Sequence, residues 1–172
     1  GMGSYETPYK TMGLYDHNMD TAIGMNNHGA TSSGNFGQAG TWESSIRYHG
    51  KLGPLEIEYL RAMSEQTNAN VAKNDYSLGL RVENMIVPGL ELGVARTFDK
   101  SLGADGETND KVFASYTVMP GLGVFYTDED LEVGSDFTNG EGDITTVGVH
   151  YTMGHNTIQL VHATGDSREV AA

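Results

Sequence analysis

The side chains of this chain that could do chemistry are charged groups within segments in which polar and apolar residues alternate. Glu56 and Glu58, for example, alternate with the apolar residues Leu55, Ile57 and Tyr59. Carboxylates spaced in this way, with guanidinium and imidazole groups, attract and orient ions and polar solutes in water. The polar positions of this kind are Glu43, Arg47, Glu56, Glu58, Arg81, Glu91 and His150. We expect them to line water, either on the solvent side of a soluble sheet or in the lumen of a wide barrel.

The sequence contains no recognisable catalytic or metal-binding arrangement. Its six His show no paired metal-ligand spacing, and the chain has no Cys, which excludes disulfide scaffolds and Cys-ligated metal sites. No nucleophile–base set and no Gly-rich phosphate loop is present. The net charge of −13 argues against nucleic acid as a partner, because phosphate binding needs a basic surface. We therefore expect no enzyme activity, no metal and no cofactor.

The elements that position these charges are β-hairpins with a recurring asymmetry. Short turns are predicted at residues 50–54, 87–89, 119–121 and 153–156, and long acidic loops at 64–74, 99–110 and 128–143. Tight turns on one rim and long loops on the other are typical of an outer-membrane barrel. The predicted strands cover residues 42–49, 54–63, 75–85, 89–98, 111–119, 121–128, 144–153 and 156–164, and residues 165–172 are predicted to begin a further loop.

One face of these predicted strands is apolar, with tyrosines towards the strand ends, and the other face is polar. Interfacial aromatic girdles would place the tyrosines there. The chain has no run of about 18 apolar residues, which a transmembrane helix would need, but barrel strands need only about 9–11 alternating residues. The sequence therefore predicts an all-β fold built as an antiparallel up-and-down meander of about eight strands. The tyrosines concerned are Tyr48, Tyr59, Tyr76, Tyr126 and Tyr151.

Acidic residues cluster in the predicted long loops. Oxygen ligands of this kind can bind divalent cations, but no EF-hand spacing is present, and we interpret the clusters as solvated charge. They comprise Asp105, Glu107, Asp110, Asp128, Glu129, Asp130, Asp136, Glu141 and Asp143.

Three motifs in order resemble those of the general trimeric porins of Gram-negative bacteria. They are Gly3-Ser4-Tyr5-Glu6-Thr7-Pro8-Tyr9-Lys10, then Leu14-Tyr15-Asp16, then Ser44-Ser45-Ile46-Arg47-Tyr48 after a stretch rich in Asn and Gly. The family often has Asn where this chain has Ser44. Strands of the forms Leu-Gly-Leu-x-Val and Val-Gly-Val-x-Tyr, at residues 78–82 and 147–151, also fit the family.

The resemblance implies a 16-stranded outer-membrane barrel of which residues 1–172 are the middle, without the family's first strands and its last strand. It implies that residues 7–41 are a constriction loop folded into the lumen, with Asp16 and Asp20 as its only carboxylates. Residues 42–164 would be the eight-stranded meander. Small hydrophilic solutes would diffuse passively through a homotrimer embedded among outer-membrane lipid and lipopolysaccharide, and no cofactor is implied.

Two other architectures are compatible with the sequence. One is a complete eight-stranded outer-membrane barrel with a structural or adhesive role, whose lumen would have to be plugged by side chains. The other is a soluble β-sandwich that binds carbohydrate.

Overall fold

The computed structural model describes residues 1–12, 41–63, 75–99, 107–132 and 140–169. They form one antiparallel sheet of nine strands, in which every strand pairs with its neighbours in the sequence, and a single helical turn. The sheet is not closed into a barrel. The strands are β1 (Met2–Glu6), β2 (Thr41–Leu52), β3 (Leu55–Ala62), β4 (Tyr76–Glu83), β5 (Leu90–Asp99), β6 (Glu107–Met119), β7 (Leu122–Glu132), β8 (Gly140–Met153) and β9 (Asn156–Glu169), and α1 spans Pro8–Thr11.

The predicted all-β meander is thus confirmed, while the described residues contain one sheet and not two packed sheets. No helix in the described ranges is long and apolar enough to cross a membrane.

Alternation along each strand gives the sheet two chemically different faces. Ser77 lies opposite Leu60 and Thr97 on the face that we call the polar face. The next residue, Leu78, lies on the other face, which we call the apolar face. Cross-strand register carries this division through the sheet, because successive side chains of a strand point to opposite faces.

The polar face is more buried than the apolar face, which is unusual for a sheet. Ser77 and Thr146 on the polar face are 0% and 1% exposed, whereas Val94 and Val147 on the apolar face are 47% and 43% exposed. Other buried side chains of the polar face are Ser45, Glu58, Leu60, Ala95, Thr97, Asn109, Lys111, Phe113, Phe125, Thr127, Glu129 and Ile144. The side chains that the fold covers are therefore mainly those of the polar face.

Short turns join β2 to β3, β4 to β5, β6 to β7 and β8 to β9, all at one rim of the sheet. Gly121, between β6 and β7, has φ +84°, and a Cβ on it would lie 2.5 Å from the carbonyl oxygen of Thr152. Glycine is therefore required there both for its backbone angle and for the close approach. In the longer turn between β4 and β5, Asn84 has φ +57° and its Oδ1 accepts a hydrogen bond from Gly89 N at 2.6 Å.

Several predicted boundaries differ from the structure. A ninth strand, β1, precedes α1, and β6, β7 and β8 each extend about four residues into the predicted acidic loops. Asp110, Asp128, Glu129, Asp130 and Asp143 are consequently strand residues and not loop residues.

The predicted end of the last strand was also wrong. β9 continues through Glu169, and Gly165 to Glu169 pair with Ile144 to Gly140 of β8. These residues do not alternate between apolar and polar types, so periodicity gave no signal for a strand. Backbone hydrogen bonds between strands do not depend on side-chain type, and they extend this hairpin beyond its apolar part.

The predicted constriction loop, residues 7–41, is described at its two ends. Its beginning is α1, where Thr7 Oγ1 accepts a hydrogen bond from Lys10 N at 3.3 Å and Pro8 occupies the first helical turn. Both are common devices at a helix N-terminus. α1 lies against β3, β4 and β5 on the polar face. Asp16 and Asp20 lie outside the described residues, so their proposed place in a constriction stays a prediction.

Candidate functional site

The polar face near the short-turn rim carries a network of charges centred on Arg81 of β4. The Arg81 guanidinium contacts Glu56 of β3, with Nε 3.1 Å from Oε2. It also lies 3.4 Å from a carboxylate oxygen of Glu83 and 3.6 Å from one of Glu91. Cross-strand register creates this arrangement, because Glu56 is opposite Arg81 and Glu91 is opposite Glu83. One cation thus neutralises parts of three carboxylates.

β2 extends this network towards the edge of the sheet. His49 Nε2 lies 2.7 Å from Glu56 Oε1, and Lys51 Nζ lies 3.2 Å from Glu83 Oε2. The side chains of His49 and Lys51 are about half exposed. Acid and base therefore alternate from strand to strand on this part of the face and are not separated into opposing clusters.

A second ion pair lies further from the short turns. Arg47 of β2 contacts the buried carboxylate of Glu58 on β3. Thr11 of α1 also donates a hydrogen bond to Glu58 Oε2, at 3.3 Å. Glu58 thus links the sheet to α1.

The third cluster lies under α1 and joins Tyr9 to Lys111 of β6 and Glu129 of β7. Tyr9 Oη donates to Glu129 Oε2 at 2.7 Å, and Lys111 Nζ donates to the carbonyl oxygen of Tyr9. Burial and then the negative charge of Glu129 raise the pKa of the Tyr9 hydroxyl well above its usual value. The hydroxyl therefore stays protonated and remains a hydrogen-bond donor.

Some buried oxygens of the polar face have no protein partner in the described part of the chain. They are Oδ1 of Asn109 and the hydroxyls of Thr127 and Thr146. The two threonines are opposite each other on β7 and β8. Buried polar atoms that lack a protein partner usually bind ordered water. Ordered water at these oxygens would complete their hydrogen bonding.

The predicted polar-face residues are placed as follows. Arg47, Glu56, Glu58, Arg81 and Glu91 all lie on the polar face of β2 to β5, where ion pairs connect them in two groups. His150 shares this face on β8, opposite Gly123 and Gln159. Glu43 is a β2 residue whose side chain is outside the described part of the structure.

Sequence reasoning missed Tyr9, Lys111 and Glu129. Lys111 of β6 and Glu129 of β7 lie on the polar face, two residues along each strand from Phe113 and Thr127. Continuing the predicted alternation along each strand into the acidic loops would therefore have placed both on this face. Both residues lie at or beyond the predicted strand ends. Tyr9 carried no signal, because its contact with Glu129 spans 120 residues of sequence.

The charge on the polar face is nearly balanced. Among residues whose side chains the structure describes, the polar face holds five carboxylates and four lysine or arginine cations. They are Glu56, Glu58, Glu83, Glu91 and Glu129, and Arg47, Lys51, Arg81 and Lys111.

A row of aspartates lies instead on the apolar face, at the long-loop end. Asp110, Asp130 and Asp143 stand opposite one another on β6, β7 and β8. Arg96 of β5 pairs with Asp110 there, with Nε 2.6 Å from Oδ1. These charges are therefore separated by the sheet from any solute that contacts the polar face.

In the described ranges, no group of three or more His, Asp or Glu side chains is arranged to hold a metal ion. Comparisons of the chain with models of protein families, with curated proteins and with solved structures find no match.

Proposed function

We propose that this chain forms the wall of a water-filled outer-membrane pore through which small hydrophilic solutes and ions diffuse passively. The observation that carries the proposal is the direction of burial in the sheet. Valines of the apolar face are about half exposed, while serine, threonine, lysine and glutamate of the polar face are buried. A half-buried sheet of a soluble protein packs its apolar face inward, whereas a membrane barrel turns it outward to lipid.

The aromatic and cationic residues of the apolar face also support this function. Tyr76 stacks on Phe98 and Tyr59, with ring centroids 5.4 and 6.4 Å apart. Arg61 is opposite Tyr76 in the same row. Aromatic rings and long cationic side chains at strand ends fit the boundary between lipid tails and headgroups.

The proposed pore is a closed barrel of 16 strands, in which further strands pair with the outer edges of β1 and β9. It assembles as a homotrimer in the outer membrane, among lipid and lipopolysaccharide. It has no enzyme activity and no cofactor. Residues 7–41 form the constriction, and neutralising Asp16 and Asp20 together is expected to reduce cation preference. The near balance of charge on the polar face predicts that this preference is weak.

Paired cysteine substitutions test the proposal directly, because the chain has no Cys of its own. Ala114 and Ser115 are small neighbours on β6 that lie on the apolar and polar faces respectively. The full-length protein with Ser115→Cys, reconstituted in planar bilayers, should lose conductance when a charged, water-soluble thiol reagent is added. The Ala114→Cys variant should keep its conductance with this reagent and react instead with a lipid-soluble one.

Two outcomes would contradict the proposal. One is the absence of any channel from the wild-type protein, together with water-soluble expression without detergent. The other is equal reaction of both cysteines with the charged reagent. Either result would favour a soluble sheet that binds ligand on its polar face.

A further inference from the structure

One residue of α1, Tyr9, reaches three strands of the polar face. Tyr9 N donates to Ser77 Oγ of β4 at 3.2 Å, and Tyr9 Oη donates to Glu129 Oε2 of β7 at 2.7 Å. Lys111 of β6 donates to the Tyr9 carbonyl oxygen, and its ammonium group lies 4.7 Å from the centre of the Tyr9 ring. The Ser77 hydroxyl is held in turn by Thr97 Oγ1, at 2.9 Å.

The residues beneath α1 are chemically unusual for a sheet surface. Lys111 and Glu129 are opposite each other on β6 and β7, and both are buried together with Tyr9. Burying a lysine and a glutamate is costly unless further hydrogen bonds complete the pair. α1 supplies these bonds, because the carbonyl of Tyr9 faces the lysine and its hydroxyl faces the glutamate. The two buried charges are thus matched by hydrogen-bonding groups of α1.

The sheet also provides space for α1. A Cβ on Gly79 of β4 would lie 3.1 Å from Pro8 Cβ and 2.4 Å from Met12 Sδ. Glycine at this position therefore allows both ends of α1 to approach the backbone of β4 closely.

We infer that Tyr9, Lys111 and Glu129 form a clamp that holds α1 against the polar face and so limits the free cross-section of the pore. The inference rests on the proposed function and adds to it the residues that set the size limit for solutes. They are positioning residues, because they act through α1 and not by contact with a passing solute. A turn of helix with its side chains is about 10 Å wide, so release of α1 would widen the passage.

A double substitution can remove the clamp without leaving either Lys111 or Glu129 as an unpaired buried charge. Lys111→Met combined with Glu129→Leu removes both charges and both hydrogen bonds to Tyr9. In single-channel recordings of the full-length protein, a second and larger conductance level should appear. Its occupancy should rise about tenfold or more over wild type, because hydrogen bonds to charged groups contribute at least that factor. The matched control is Arg96→Met with Asp110→Leu, which removes an ion pair between β5 and β6 on the apolar face.

A reversible crosslink separates release of α1 from general damage to the sheet. Pro8→Cys with Gly79→Cys places two Cβ atoms 3.1 Å apart. Formation of the disulfide requires them to move slightly apart, to the separation of about 3.5–4.5 Å found in disulfides, and requires the flexible end of Met12 to turn aside. Added to the clamp variant, the oxidised pair should abolish the larger conductance level, and a reducing agent should restore it. A larger level that persists after oxidation, or that also appears in the control variant, would overturn the inference.

A second measurement does not depend on conductance. Met12 is buried beside α1, so a thiol at Met12→Cys should react slowly in the otherwise wild-type protein and about tenfold faster with the clamp variant. An unchanged rate would overturn the inference whether or not the protein conducts. A faster rate in a protein that forms no channel would contradict the proposed function and leave the attachment of α1 by the clamp intact.

Discussion

Replacing Arg81 with glutamine should increase the cation preference of the proposed pore. The Arg81 guanidinium is bracketed by Glu56, Glu83 and Glu91, two of them at 3.4 and 3.6 Å. After its loss, His49 still contacts Glu56 and Lys51 still contacts Glu83. The described polar face would then hold five carboxylates against three permanent cations.

The size of the effect follows from Coulomb's law. A monovalent ion about 6 Å from the guanidinium interacts with it by about 0.7 kcal/mol in water, and by about 0.4 kcal/mol after screening in 0.1 M salt. That energy changes the local concentration of a cation about twofold, and that of an anion about twofold in the opposite direction. The ratio of cation to anion permeability should therefore rise about fourfold, and the rise should shrink at 1 M salt.

Reversal potentials across a bilayer with a KCl gradient measure this ratio. Arg81→Lys keeps the charge and should stay close to wild type. Arg96→Gln makes the same change in charge on the apolar face, where Arg96 pairs with Asp110, and should leave the ratio unchanged. An equal shift in Arg81→Gln and Arg96→Gln would refute the assignment of the polar face to the lumen.

Three further substitutions test the two faces of the sheet. Asp130→Asn should stabilise the fold by about 0.2–1 kcal/mol at low salt, because Asp130 stands opposite Asp110 and Asp143 and like charges in this position repel. At 1 M salt, thermal unfolding in detergent should show no increase in stability over wild type. Gly148→Ala should destabilise by about 1–3 kcal/mol, because its Cβ would lie 2.2 Å from Phe125 Cζ, and a wild-type melting temperature would contradict this packing. Val147→Lys should make insertion into lipid vesicles less favourable by about 2–4 kcal/mol if the residue lies near the bilayer midplane, whereas an unchanged value would show that this face does not contact lipid.

Sequence reasoning predicted what depends on local alternation. It assigned Glu56 and Ile57 to opposite faces, and placed Arg81 and Glu91 with Glu56, because a strand has a period of two residues. The short turns were found because Gly53, Gly121 and the other turn residues interrupt that pattern.

What the sequence did not reveal depends on the partner strand or on distant residues. The register between β1 and β2 shifts near Ser44, whose φ is +49°, so that Trp42 pairs with Tyr5 and is buried. A backbone irregularity of this kind interrupts the strict alternation on which the prediction relied. The polar ends of β6 to β9 were taken for loops for a related reason, since pairing through backbone atoms leaves no pattern in side-chain type.

The attachment of α1 has a consequence for the order of folding. Each strand pairs with its chain neighbours, so most hairpins form from residues that are close in sequence, and such contacts form early because little loop entropy is lost. The contacts of Tyr9 with Ser77 and Glu129 span 68 and 120 residues, and they require β4, β6 and β7 to be already aligned. We therefore expect α1 to dock last, onto a completed sheet. Until that step the buried Lys111 and Glu129 would still be hydrated, so the slowest folding phase should report the loss of water from this one site.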